Sequence, residues 1–170
     1  METQSIALSE LQQTDVWEGW LSSEILARYF GDLAGRFQRR QRRLTLLTLV
    51  FSSAAFASIV GSDWLPPYWA WLKPLCALIA AIASAVLVVE RYDQRAVECS
   101  DLYSGWSLLA NQFQELWDDM YSNDAPARLR ALEEKSRELS RIGTKMPEKK
   151  RLLLRWQDYI EKRHNLPRAA

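Results

Sequence analysis

The sequence predicts an all-α membrane protein: a two-span transmembrane helical hairpin with long cytoplasmic helical extensions and a C-terminal helical pair. Three observations lead there. Between Arg43 and Glu90 the only charged residues are Asp63 and Lys73. Both lie in or beside a short aromatic break carrying Pro66 and Pro67. On either side of this apolar region, large hydrophobic residues recur at steps of three and four, the period of one helix face.

The elements follow in chain order. Residues 1–43 form an N-terminal cytoplasmic helix whose stripe, Leu26, Phe30, Leu33 and Phe37, runs into a juxtamembrane arginine cluster. Residues 44–62 are nineteen uncharged residues, LTLLTLVFSSAAFASIVGS. At 1.5 Å per residue they cover roughly 28 Å, close to the hydrocarbon thickness of a bilayer. Residues 63–68 make a short external turn, where the prolines remove amide donors that a continuing helix requires. Trp64, Tyr68, Trp69 and Trp71 cluster there as amphipathic rings do at a membrane interface. Residues 69–89 form the second span. Its single charge, Lys73, sits one turn from the start, where a long stem carries the ammonium to the headgroups. A connection this short makes the spans antiparallel and puts both termini on one side. A soluble protein with a buried helical hairpin is the rival reading, disfavoured because both helices are apolar on every face.

Residues 90–121 continue as a helical stalk. Cys99, Leu102, Trp106, Leu109, Phe113, Leu116 and Met120 form an assembly stripe of coiled-coil type, widened by Tyr103, Ala110 and Trp117. No proline intervenes between Pro74 and Pro126, so one helix of some forty-five residues is expected from the turn outward. Residues 124–170 are a basic helical pair. Asp124 is placed to cap a new helix with Pro126 in its first turn, and Gly143 to stop it. Its face is Leu129, Leu132, Leu139 and Ile142; Pro147 opens the last helix, with Leu152, Leu153, Trp156, Tyr159 and Ile160 on its apolar side. Both helices are expected to fold back onto the stalk.

Charge sets orientation and partners. Arg36, Arg39, Arg40, Arg42 and Arg43 precede the first span, and Arg91 and Arg95 follow the second. The turn offers only Lys73, so the positive-inside rule places both ends in the cytoplasm of a multi-pass inner-membrane protein. The stalk carries two basic and seven acidic side chains, whereas residues 124–170 carry thirteen basic and seven acidic. That asymmetry fits internal complementarity, or contact of Lys149, Lys150, Arg151 and Arg155 with anionic lipid or a nucleotide-type signal. Nucleic acid is not expected, because Trp156 and its neighbours fall on an apolar helix face. Cys76 and Cys99 lie roughly 35 Å apart along a continuous helix, too far for a disulfide. The first span starts too far in, and is too long, for a signal peptide.

Catalysis is not expected. His164 is the lone histidine, near an end expected to fray, so neither a histidine relay nor a two-histidine metal site can form within one chain. None of the six glycines is spaced as G-x-G. Asp118 with Asp119, and Glu133 with Glu134, point about 100° apart on a helix and read as solvated surface rather than carboxylate dyads. No cofactor and no metal is implied.

Function must then come from assembly in or on the bilayer. Ser53, Ala57 and Gly61, and Ala77, Ala81 and Ala85, place small residues every fourth position, allowing close helix packing within the hairpin or between subunits. Thr45, Thr48, Ser52, Ala55, Ile59 and Ser62 form a second, weakly polar face. Its hydroxyls can bond to carbonyls one turn back, or line a poorly selective conduit once hairpins form a ring.

Over residues 17–121 the layout resembles the SLATT family of bacterial two-span effectors. The likeness rests on a helix ending in RRQRR, the WLPPYWAWLKP turn and a long helix opening ERYDQRAVECSDLYSGW. The resemblance implies a homo-oligomeric membrane effector of antiphage defence that opens or disrupts the inner membrane when a separate sensor or signal-producing protein permits. A membrane-anchored scaffold that self-associates through its cytoplasmic helices and recruits a soluble partner accounts for the same features. A transporter subunit fits less well, since neither span holds a buried acid or base.

Overall fold

The structure is a computed structural model that describes residues 8–60 and 72–164, with side chains described at 8–53 and 74–164. Five helices and no strand occur among the described residues: α1 (Glu10–Val60), α2 (Leu72–Glu90), α3 (Tyr92–Asp118), α4 (Ala125–Gly143) and α5 (Lys150–Arg163). The chain divides into two compact units, one of Met1–Leu33 with Glu98–Ala170 and one of Ala34–Val97.

α1 runs unbroken for 51 residues through the arginine cluster. Arginine is a good helix former, no proline falls within α1, and its three glycines, Gly19, Gly31 and Gly35, are isolated ones that a long helix tolerates. The expected forty-five-residue helix also exists, Pro74–Asp118, but with one irregularity. Arg91 has φ 45°, the left-handed region, and separates α2 from α3. A side chain there costs roughly 1–2 kcal/mol relative to a right-handed turn. Glu90 Oε2 and Arg95 Nη1, 2.8 Å apart, bridge the irregularity, and the Arg95 amide bonds to the Arg91 carbonyl at 3.1 Å.

In the first unit the early part of α1 packs with α3, α4 and α5. Gly19 marks a close approach of α1 to α3: a Cβ there would lie 2.7 Å from the Phe113 ring. Gly143 lets α4 approach α1, since a Cβ would meet the Phe30 ring at 3.2 Å. The core comprises Val16, Phe30 and Leu33 of α1, Cys99 to Leu116 of α3, Leu129 and Leu132 of α4, and Leu152 and Ile160 of α5. Trp17 stacks obliquely on Trp117, with centroids 5.3 Å apart.

Two helix boundaries differ from expectation in their chemistry. Asp124 stands at the head of α4, but with φ −95° and ψ −5° its side chain makes no capping bond. Its carbonyl instead accepts from Ala127 and Arg128 at 3.0 Å. The Arg128 Nη1 to Asp119 Oδ2 ion pair at 3.0 Å closes the connection to α3. Gly143 ends α4 without a positive φ, and Thr144 caps it with an amide bond to Ser140 O. The glycine is there for contact with Phe30, not for turn geometry. The last helix begins at Lys150, three residues after Pro147.

The second unit buries little. Ala34, Phe37, Cys76, Ala83, Tyr92 and Ala96 are covered, with the Phe37 and Tyr92 rings 6.1 Å apart. Leu49, Val50, Leu78, Ile82, Val88 and Val89 remain more than half exposed.

Candidate functional site

Exposed apolar surface is the chief chemical feature of the second unit. By length and composition, one helix among the described residues is long and apolar enough to cross a membrane, the run Pro74–Asp118. Only 17% of its apolar stretch is buried. The core helix of a water-soluble protein is mostly covered, whereas this one is mostly open, which supports association with a membrane. The first predicted span lies in α1 to Val60, and its end, with the external turn at 63–68, falls outside the described residues.

The small-residue stripe of α2 does not form the inner face of this unit. Ala77, Ala81 and Ala85 are exposed, and the chain packs instead through Cys76 and Ala83, with Ala80 and Leu87 half-buried. Steps of four rotate about 40° per step around a helix, whereas alternating steps of four and three stay on one side. Ser53 is likewise exposed, and Ala57 and Gly61 lie outside the described side chains.

On the weakly polar face of α1, Thr45 and Ser52 are exposed and Thr48 half-buried. Thr48 Oγ1 donates to Leu44 O at 3.0 Å and Ser52 Oγ to Leu49 O at 3.1 Å. These hydroxyls are satisfied by their own helix and tolerate lipid as well as water. Ala55, Ile59 and Ser62 lie outside the described side chains.

The stripe expected to join subunits is instead covered by the chain itself. Cys99, Leu102, Trp106, Leu109, Phe113 and Leu116 are each no more than 2% exposed, and Met120 is half-buried. A heptad period states only that a helix has one wet and one dry side. α1, α4 and α5 supply the dry side here. Cys99 Sγ sits 3.8 Å from Met146 Sδ. Burial, reinforced by Glu98, pushes its thiol up to about 11, so it stays protonated and a poor nucleophile. Beside Trp106 lies an apolar cavity of about 380 Å³, walled by Leu26, Phe30, Leu139, Met146 and Leu153.

One cluster is absent from the sequence reading. His164, expected to fray, is held between the rings of Trp17 and Trp20, at 5.7 and 5.4 Å. Its Nε2 lies 3.2 Å from Glu24 Oε2. The other oxygen, Glu24 Oε1, accepts from Arg28 Nη2 at 2.8 Å and from Arg163 Nη1 at 2.6 Å. Burial alone would raise the Glu24 pKa. The hydrogen bonds from Arg28 and His164 and the charges of Arg163 and Arg28 outweigh it and hold the carboxyl below 4.5. Arg28 also lies over the rings of Tyr159 and Trp156, at 5.2 and 5.9 Å. Only the i,i+4 pair Glu24 and Arg28 carried a sequence signal; the other partners lie about 140 residues away.

Of the basic residues singled out, Lys150, Arg151 and Arg155 are exposed along α5, and Arg155 lies over Trp156 at 5.7 Å. Lys149 is half-buried and its amide donates to Tyr29 Oη at 3.1 Å. No group of three or more histidine, cysteine, aspartate or glutamate side chains able to hold a metal occurs among the described residues. Comparison of the chain with protein-family models, with curated proteins and with solved structures found no match.

Proposed function

We propose that the chain is an oligomeric two-span effector of the bacterial inner membrane, which associates side by side in the bilayer and makes it leaky. The observation that carries this reading is the largely uncovered apolar stretch of α2. Leu46, Leu47, Leu49 and Val50 of α1 are exposed in the same unit and support a second span beside it. The arginines at 39–43 favour cytoplasmic termini.

Because the α3 stripe is already covered within the chain, association falls to surfaces the chain leaves open. Ala77, Ala81 and Ala85 are such a surface, and small residues there let a second helix approach closely. The back-bonded hydroxyls of Thr48 and Ser52 allow the weakly polar face of α1 to border either lipid or a wet conduit. A separate sensor or signal-producing protein would supply the trigger, as the SLATT resemblance implies. The scaffold reading draws on Leu11, Leu108 and Tyr121, which are 79%, 59% and 74% exposed on the first unit and available to a soluble partner.

Expression of the full chain in bacteria loaded with a voltage-sensitive dye tests the proposal. Wild-type protein should depolarise the cells and cross-link into oligomers, and Ala81→Leu should weaken both. Recovery of the protein from the soluble fraction without detergent would overturn the membrane reading. An unchanged potential at high membrane expression, with oligomers present, would favour the scaffold.

A further inference from the structure

We infer that Glu24 is a latch that holds α5 folded onto α1, and that the surface it conceals is an amphipathic, basic helix fitted to an anionic bilayer. The inference rests on the membrane reading given above and adds a moving part to it.

Several contacts fix α5, and the polar ones at its C-terminal end converge on one carboxylate. At its C-terminal end, Arg163 and His164 both reach Glu24. At its middle, Trp156 and Tyr159 lie beneath Arg28, and Glu24 holds that guanidinium from its own helix one turn away. Independently of Glu24, the entry to α5 is fixed through Tyr29 Oη, which donates to Pro147 O at 3.4 Å and accepts from the Lys149 amide, and the buried Leu152 and Ile160 pack against the chain. Loss of the Glu24 charge therefore removes the carboxylate that Arg28, Arg163 and His164 share and leaves the two guanidiniums without it. Like charges in a half-buried site repel, and the short helix loses its C-terminal anchor.

The composition of the released element says what it would meet. α5, KRLLLRWQDYIEKR, carries five basic and two acidic residues in 14. Leu152 and Ile160 are buried against the chain, 4% and 1% exposed, with Leu153 and Trp156 half-buried beside them. Lys150, Arg151, Arg155 and Lys162 stand on the outside. A short helix with an aliphatic and tryptophan face and a basic opposite face lies in the interface of an anionic membrane, its apolar side among the acyl chains. The occupant is thus the anionic surface of the bilayer in which the protein resides. A soluble acidic protein is the other candidate, and the test separates it.

Full-length protein is placed in nanodiscs of phosphatidylcholine alone or with phosphatidylglycerol, and hydrogen exchange of residues 150–163 is followed. In wild-type protein these amides should be equally protected in both discs. Glu24→Gln should speed their exchange about tenfold in phosphatidylcholine, with protection regained in phosphatidylglycerol. Arg163→Gln with His164→Gln, which alters only the end of α5, should act in the same direction and guards against a general loss of folding in the first variant. Unaltered exchange in both variants would overturn the latch. Faster exchange that phosphatidylglycerol does not reverse would overturn the bilayer as occupant. Failure of the protein to enter the discs at all would refute the membrane reading instead, so the two failures are distinguishable.

Discussion

Leu116 and Leu108 are the same residue on the same helix, eight positions apart, and they provide the sharpest test of what the α3 stripe does. Leu116 is 0% exposed and Leu108 is 59% exposed. Truncating a fully buried leucine to alanine removes transfer free energy and leaves a cavity, together about 3–4 kcal/mol. The same change at an exposed site away from such features stays within about 0.5 kcal/mol. For a chain of this length, each kcal/mol moves the midpoint by roughly 2–4 °C, so Leu116→Ala should lower Tm by about 6–16 °C and Leu108→Ala by at most about 2 °C. The measurement is a thermal melt of detergent-solubilised full-length protein, followed by near-ultraviolet circular dichroism at two protein concentrations a factor of ten apart. If the stripe is internal core, the Leu116→Ala deficit is the same at both concentrations, because no second copy touches this face. A deficit that shrinks as concentration rises, or a Leu108→Ala effect as large as that of Leu116→Ala, would refute the assignment of this face to the interior.

Four further outcomes are expected. Gly19→Ala should destabilise despite the better helix propensity of alanine, because a Cβ 2.7 Å from the buried Phe113 ring costs about 1–3 kcal/mol against a propensity gain of about 1. Gly35→Ala, whose nearest neighbour is Arg39 Nη2 at 3.9 Å, should be neutral or stabilising, and similar melts for the two variants would remove the close-approach reading. Glu24 has a folded pKa below its ordinary 4.5, so its contribution is fully present above 4.5 and is lost as pH falls through the lowered value. Wild-type stability should therefore drop more steeply than that of Glu24→Gln in acid, and parallel pH profiles of the two melts would contradict the ion cluster. Cys99 is fully buried with its thiol raised to about 11, so maleimide should label it at pH 8 only after unfolding; rapid labelling of the native protein would show the stripe to be open.

Periodicity was sufficient to locate the helices because burial on one side imposes it whatever the partner. Phe30, Leu33 and Phe37 on α1, Leu129 and Leu132 on α4, and Leu152 and Ile160 on α5 all stand where their spacing placed them. The same generality left the partner of α3 open in the sequence: a face with heptad spacing is equally served by another copy or by the chain's own α1, α4 and α5. Arg91 carries no turn residue and no sequence signal, so the interruption between α2 and α3 was not legible.

The sequence by itself determined an all-helical chain with an apolar middle, since hydrogen bonding within each helix and the lack of charge from 44 to 62 are local properties. Tertiary structure alone decided which stripe faces which neighbour, that Ala77, Ala81 and Ala85 point away from the chain's own packing, and that Glu24 gathers Arg28, Arg163 and His164. A carboxylate and its partners some 140 residues apart meet only when helices dock, and docking depends on shape across surfaces that no single stretch of sequence contains.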